Sequence, residues 1–142
     1  MRALLDVNVL IAVHDPDHIH HARAVTWLAA EIAHGWASCP LTQNGCLRIM
    51  SQPGYVNPVS VAQVMAMLQH STATPHHAFW PDDLSVLDDG AFDHSKIHGH
   101  RQLTDLYLLG LAVKHEGRLV TFDQRMPLSA VRGVRSEHLV VL

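Results

Sequence analysis

Three aspartates stand at positions where polar side chains are expected to meet at one edge of a parallel sheet. Asp6 directly follows the short apolar run Ala3-Leu4-Leu5, and Asp123 directly follows the apolar run of residues 118–122. Asp105 lies in the first turn of a long apolar helical stretch, where the helix dipole favours a carboxylate. Because ligands of open α/β sheets bind beyond the carboxyl ends of the strands, we expect these three carboxylates to converge there.

Converging carboxylates suit a divalent metal ion. Three negative charges repel one another unless a cation lies between them, and oxygen ligands around an open cavity suit Mg²⁺ or Mn²⁺. A cation held by Asp6, Asp105 and Asp123 would lower the pKa of a bound water and supply positive charge beside it. Taken singly, each aspartate also has an ordinary interpretation, Asp105 as a first-turn acid and the other two as turn formers.

Two threonines accompany these aspartates. Thr121 lies two residues before Asp123, so strand alternation predicts that the two side chains point to the same side, where Thr121 is suited to hold a water or a phosphate. Thr104 is predicted to be the N-cap of the helix that contains Asp105.

Short apolar runs alternate with helical patterns along the chain, which predicts an α/β fold. The predicted strands are residues 3–5, 36–39, 77–80, 118–122 and 138–142. The predicted helices are residues 7–13, 18–34, 42–50, a helix opened by Asn57-Pro58, and 105–113. Strands separated by helices favour right-handed crossovers, and hence a mainly parallel five-stranded sheet between two helical layers. The 142 residues, 48% of them apolar, suit one such domain.

Charge and composition restrict the class of function. A net charge of −3 argues against coating of nucleic acid by bulk charge, so a nucleic-acid site has to be a local basic patch. The candidates for this patch are Arg48, Lys96, Arg101 and Arg125. The thirteen histidines lack the cysteine pairs or the His-Glu-x-x-His pattern of zinc sites.

The sequence predicts a soluble cytoplasmic protein. Cys39 and Cys46 each lie in an apolar run, so we expect two buried thiols and no disulfide framework. Asp6 interrupts the first apolar run, which is unlike a signal peptide. No stretch approaches the roughly 20 apolar residues of a membrane helix.

Several stretches, taken in order, resemble the motifs of PIN-domain ribonucleases of the VapC toxin type. Residues 4–10, with Asn8 as a supporting side chain, are similar to the family's opening motif, residues 104–112 to its third and residues 117–123 to its fourth. Residues 17–21, 40–42 and 45–48 are similar to one branch of the VapC toxins. The resemblance implies a Mg²⁺- or Mn²⁺-dependent endoribonuclease that leaves 5′-phosphate and 3′-hydroxyl ends and is restrained by a small VapB-like antitoxin.

One position departs from the family pattern. The family usually places a glutamate in the helix after the second strand, but no acid occurs between Glu31 and Asp82. The resemblance puts Gln43 at this position, with Asn44 as the alternative. An amide oxygen can still coordinate a metal, but it carries no charge.

Two other function classes stay open at this stage. Loss of the glutamate suits a catalytically weak PIN-fold module that binds RNA or protein. A phosphoacceptor receiver domain also gathers aspartates at sheet ends around Mg²⁺, but it expects an aspartate after the third strand and a later lysine. Residues 77–81 contain no aspartate, and the single late lysine, Lys114, is a poor match to the expected one.

Two predicted helices, residues 18–34 and 57–70, carry more apolar side chains than one core face requires. We therefore expect some of these side chains to meet a second copy in a homodimer or to meet an antitoxin. The candidates are Val25, Trp27, Leu28, Met65, Met67 and Leu68.

Overall fold

A five-stranded parallel sheet forms the middle layer of the computed structural model, which describes residues 1–142. Its strands are β1 (Ala3–Leu5), β2 (Trp36–Ser38), β3 (His77–Phe79), β4 (Arg118–Thr121) and β5 (Leu139–Val141). The strand order is β3-β2-β1-β4-β5, and every neighbouring pair is parallel. The predicted sheet is confirmed, and β1 lies at its centre, next to β4.

Five helices cover the two faces of the sheet: α1 (Val7–His14), α2 (His21–Glu31), α3 (Pro40–Ser51), α4 (Val61–Thr72) and α5 (Leu103–Lys114). On one face, Ala3 and Leu5 pack with apolar side chains of α1 to α4. On the other face, Leu4 packs with the apolar side chains of α5. The alternation of successive side chains along β1 therefore separates two cores, and the predicted three-layered α/β architecture is confirmed.

Both cysteines are buried as predicted, Cys39 against the α5 face and Cys46 on the opposite face. None of the helices combines the length and the apolar composition that crossing a lipid bilayer requires.

The start of α4 differs from the prediction. Asn57 adopts a left-handed backbone conformation with φ of 58°, so it belongs to a turn and does not open a helix. Ser60 is the N-cap, because its hydroxyl accepts from the Gln63 N–H at 3.2 Å and the Gln63 side chain accepts from the Ser60 N–H at 3.1 Å. This reciprocal capping box satisfies two helix-end donors at once, which a cap at Asn57 cannot match.

The start of α5 also differs. A 3₁₀ turn at His100–Gln102 runs directly into α5, with Gln102 in the cap position, and Thr104 lies inside the first turn. The predicted cap at Thr104 is therefore wrong. The preceding 3₁₀ turn continues the chain into the helix, so no side-chain cap forms.

Candidate active site

Asp6 is held rigidly at the junction between β1 and α1. Its side chain is 5% exposed, and its backbone N–H donates to the Val120 carbonyl at 2.9 Å, extending the pairing of β1 with β4. One carboxylate oxygen accepts from the Val7 N–H at 2.7 Å, which makes Asp6 the N-cap of α1. The β1–α1 turn thus fixes this carboxylate at the carboxyl end of the central strand.

The hydroxyl of Thr121 connects the ends of β1 and β4. It donates to the second carboxylate oxygen of Asp6 at 2.6 Å and accepts from the Asp123 N–H at 3.1 Å. The Asn8 side-chain amide also approaches it, at 3.5 Å. The sequence suggested that Thr121 holds a water or a phosphate. Thr121 is fully buried, however, so its hydroxyl orients neighbouring groups and does not face open space.

Asp105 faces the other two aspartates from the first turn of α5. Burial, together with the charges of Asp6 and Asp123, raises the pKa of Asp105 to about 7. Burial also raises the pKa of Asp6, against the opposing effect of its bonds from Thr121 and Val7. Asp105 therefore lies close enough to Asp6 and Asp123 for like charges to disfavour its ionised form.

The acidic residues are neighbours, but they do not form a closed shell. No three histidine, cysteine or acidic side chains are gathered as a group that could hold a metal ion in the arrangement described. The electrostatic coupling of Asp105 to Asp6 and Asp123 is still strong. Asp105 and Asp123 are both partly exposed, so a change of side-chain rotamer can bring their carboxylates closer to the fixed Asp6.

Asn8 contributes a buried oxygen with no hydrogen-bond partner. Its side-chain carbonyl Oδ1 is enclosed and unpartnered, whereas its amide group is turned toward Thr121. A buried acceptor without a donor costs free energy. An oxygen of this kind beside three carboxylates suits a cation, which needs oxygen ligands.

Two clefts meet at the acidic residues. The first has a volume of about 680 Å³, and Asp6, Asn44, Arg48 and Thr104 are among its lining residues. The second has a volume of about 540 Å³. Asn8 and Asp105 line both, so the clefts form one continuous groove across the acidic site.

The basic candidates divide into two groups. Arg48 lines the first cleft, whereas Arg101 and Arg125 line the second together with Asp123. Lys96 lines neither cleft and forms an ion pair with Asp93 at 3.6 Å, so the structure does not bring it to the site. The groove therefore has guanidinium groups on both sides of the acidic residues.

The two candidates for the second motif point to different surfaces. Gln43 donates to the Ser38 hydroxyl at 2.9 Å and lines a separate depression with Met65 of α4. Asn44 lines the first cleft with Asp6. Adjacent helical residues point about 100° apart, so only one of them can face the site. Of the two candidates, Asn44 therefore lines the cleft that contains Asp6 and Asp105, and Gln43 does not.

Sequence reasoning missed several residues that line the groove. Tyr55 and His18 line the first cleft, and Phe122 lines the second. His18 belongs to a stretch that the family resemblance had singled out, and Phe122 lies between Thr121 and Asp123. Tyr55 carried no signal, because its place depends on the path of the turn after α3.

Comparison with known proteins identifies the family. The PIN domain family matches residues 3–133. The chain is 51% identical to Ribonuclease VapC44 of Mycobacterium tuberculosis over 142 residues, the whole of both chains. It is 42% identical to Ribonuclease VapC39 of the same organism over 139 residues, which covers 94% of this chain and 97% of that relative.

A solved structure agrees on the fold. The chain resembles one chain of the crystal structure of VapBC2 from Rickettsia felis bound to a DNA fragment from their promoter. The TM-score is 0.57 at 14% identity, covering 89% of this chain and 94% of that one. The match to PIN domains sets aside the hypothesis of a phosphoacceptor receiver domain. The chain belongs to the PIN-domain family and, within it, to the VapC ribonucleases.

Proposed function

We propose that this protein is a metal-dependent endoribonuclease of the VapC type, which hydrolyses RNA phosphodiester bonds and is restrained by a small VapB-like antitoxin. The observation that carries the proposal is the placement of Asp6, Asp105 and Asp123 in a groove flanked by guanidinium groups. Carboxylates gathered in this way favour a bound cation, which offsets their repulsion. The guanidinium groups beside them suit the phosphates of a nucleic acid.

The residues present fit a divalent cation such as Mg²⁺ or Mn²⁺. Asp6, Asp105 and Asp123 would hold it, and the unpartnered Asn8 Oδ1 is a further neutral oxygen at the site. When bound, such a cation supplies positive charge for the phosphate and lowers the pKa of a water. Thr121 and the Val7 N–H keep the Asp6 carboxylate oriented for this ligation.

The chain's own side chains position the RNA. Arg48 on one side, and Arg101 and Arg125 on the other, are placed to contact phosphates along the groove. Asn44 lines the same cleft as Asp6, so it can orient a polar group there but adds no negative charge. No side chain has to act as a covalent nucleophile in this arrangement.

We further propose a cytoplasmic homodimer, with apolar side chains on the helices as its contact surface. Val25 of α2 and Met65 of α4 are exposed, whereas Leu68 is buried in the core.

The two cysteines are free thiols, which fits a reducing compartment where RNA is available.

A cleavage assay tests the proposed activity. Purified protein should cut RNA when Mg²⁺ or Mn²⁺ is present and should stop when the cation is chelated. Asp6→Ala should abolish cleavage, whereas Asp89→Asn, which alters an exposed acid outside both clefts, should not. Products with 5′-phosphate and 3′-hydroxyl ends are expected. RNA binding with no cleavage at any metal concentration would instead support a binding module without catalysis.

A further inference from the structure

The first cleft extends well beyond the acidic residues. Past Asp6 and Asp105, its walls include the aliphatic side chains of Ile11 and Ile49 and the rings of His18 and Tyr55. It continues into a depression of about 450 Å³ that shares His18 and Tyr55. Apolar and aromatic side chains thus line this end of the cleft, and Asp15 and Asp17 line the depression beyond it.

His18 presents a neutral ring in this region. Its Nδ1 accepts a hydrogen bond from the His20 N–H at 3.0 Å, so a neutral ring carries its proton on Nε2. Partial burial lowers the pKa of His18, and His20 lowers it further, which keeps the ring uncharged at neutral pH. His18 thus offers a flat uncharged face and one free N–H donor.

Aromatic side chains continue from His18 toward the other cleft. The ring of His20 lies 5.8 Å from that of His18 and 4.7 Å from that of Phe122, measured between ring centroids. Phe122 lines the second cleft beside Asp123. The rings of His18, His20 and Phe122 therefore connect a residue of the first cleft with a residue of the second.

Tyr55 lines the first cleft and the adjoining depression together with His18. Its hydroxyl donates to a carboxylate oxygen of Asp15, which holds the ring in place. Burial raises the pKa of Tyr55, so the phenol stays neutral. A fixed neutral ring loses little conformational freedom when a flat ligand packs against it.

We propose that His18 and Tyr55 form a nucleobase subsite, which holds one unpaired base of the RNA next to the phosphate that lies at the carboxylates. The proposal rests on the ribonuclease function proposed above. Bases stack on aromatic rings in single-stranded RNA complexes, and such stacking tolerates different sequences because every base has a π-face. The aliphatic side chains beside the rings suit the apolar faces of a base. Arg48, in the same cleft, is placed for the adjoining phosphate.

Binding measured without cleavage tests the subsite. We would measure the affinity of a short single-stranded RNA by fluorescence anisotropy in EDTA, at several salt concentrations. His18→Ala should weaken binding roughly tenfold, with an unchanged salt dependence, because it removes stacking and no charge. Arg48→Ala should weaken binding and also reduce the salt dependence, because it removes a phosphate contact. His70→Ala, on an exposed part of α4, is the matched control and should bind as the parent does.

RNAs with a single abasic nucleotide locate the base. When the missing base is the one that the subsite holds, the parent and His18→Ala should bind the RNA equally. Unchanged affinity of His18→Ala for intact RNA would overturn the subsite and leave a protein segment as the occupant of this cleft. A reduced salt dependence in that variant would also overturn it, because His18 would then contact a phosphate.

The unaltered protein provides a check that does not depend on folding of a variant. Long-range ¹H–¹⁵N spectra of the histidine rings should show the Nε2–H tautomer for His18, and its signals should shift when RNA is added, whereas those of His70 should not. His18 signals that stay in place at saturating RNA would overturn the subsite. If the parent protein cuts RNA while His18→Ala binds like the parent, only the subsite fails. If the parent neither binds nor cuts RNA, the proposed function fails as well.

Discussion

At the scale of single residues, the site depends on one buried hydroxyl. Thr121 accepts from the Asp123 N–H and the Asn8 amide, so its own proton is directed to Asp6. This arrangement explains why a fully buried threonine ends β4. The same oxygen orients groups from two sequence motifs that are more than one hundred residues apart.

Replacement of this hydroxyl tests its role. Thr121→Val should lower the free energy of unfolding by about 1–3 kcal/mol, because it leaves a buried carboxylate oxygen without its donor. It should also raise the metal concentration that half-maximal cleavage requires, since Asp6 is no longer held. Thr121→Ser retains the hydroxyl and should stay close to the parent in both respects. Urea denaturation and metal titration measure the two effects, and equal behaviour of the two variants would refute this role.

The missing glutamate gives a second prediction. Asn44→Glu adds a carboxylate to the first cleft, so it should lower the metal concentration for half-maximal cleavage, by roughly three- to tenfold after allowance for its exposure to solvent. Gln43→Glu places its charge beside α4 and should have little effect. If Gln43→Glu lowered the metal requirement more than Asn44→Glu, the orientation of α3 described above would be wrong.

The limits of sequence reasoning are clear at these positions. The positions of Asp6 and Asp123 after strands and of Asp105 in the first turn of a helix were predictable, because the apolar pattern around them fixes these elements. The choice between Gln43 and Asn44 was not, because it depends on the rotation of α3. That helix starts at Pro40, two residues earlier than predicted, and the side chain of Thr42 accepts from the Cys39 N–H. Tyr55 and Lys96 depend on loop paths, which periodicity does not describe.

At the scale of elements, His14 connects two helices on one face of the sheet. Its Nδ1 lies 2.8 Å from the Leu10 carbonyl in α1, and its Nε2 lies 2.8 Å from the Ser71 hydroxyl of α4. The carbonyl can only accept, so Nδ1 donates and Nε2 accepts from Ser71 in the neutral ring. Burial lowers the pKa of His14, and the bond to Leu10 only partly opposes this.

The lowered pKa predicts a loss of stability in mild acid. Below the usual histidine pKa near 6.5, the unfolded chain takes up a proton that folded His14 resists, so the free energy of unfolding should fall as the pH decreases from there. His14→Phe keeps a ring but cannot titrate, so it should reduce this fall. Denaturation of both proteins at several pH values measures the difference, and parallel profiles would show that His14 is not responsible.

The local sequence pattern predicted the boundaries of some strands and helices better than those of others. Buried strands such as Ala3–Leu5 were predicted to the residue, since apolar runs between turn residues have few alternatives. The starts of α4 and α5 were not predicted correctly, because neighbouring residues compete to cap a helix and the pattern of apolar residues does not show which one succeeds. Ser60 and Gln63 cap each other, and the 3₁₀ turn before α5 removes the need for Thr104.

At the scale of the whole molecule, the order of the strands assembles the site. β1 and β4 are neighbours although more than one hundred residues separate them, and this pairing brings Asp6 beside Asp123. The sequence indicated a parallel sheet but not the order of its strands. The order of the strands depends on how the helices pack on both faces of the sheet, since α1 to α4 cover one face and α5 covers the other.

Self-association is the next prediction at this scale. Val61 and Met65 are 53% and 44% exposed and lie one turn apart on α4, which leaves an apolar stripe facing outward. Met65→Lys should shift the protein from dimer toward monomer, as measured by light scattering after size exclusion. Ala66→Lys adds the same charge at an exposed neighbouring position and should leave the mass unchanged. A parent protein that is monomeric at every concentration would rule out the homodimer.

Titration of the RNA-free protein with Mn²⁺ tests whether Asp6, Asp105 and Asp123 hold a divalent cation. In chelator-free buffer at neutral pH, calorimetry should detect binding. Millimolar Mn²⁺ should raise the melting temperature, because the cation relieves the repulsion among carboxylates that, together with burial, disfavours ionised Asp105. Asp105→Asn should weaken both responses. A parent protein that neither binds Mn²⁺ nor melts at a higher temperature in its presence would contradict the account.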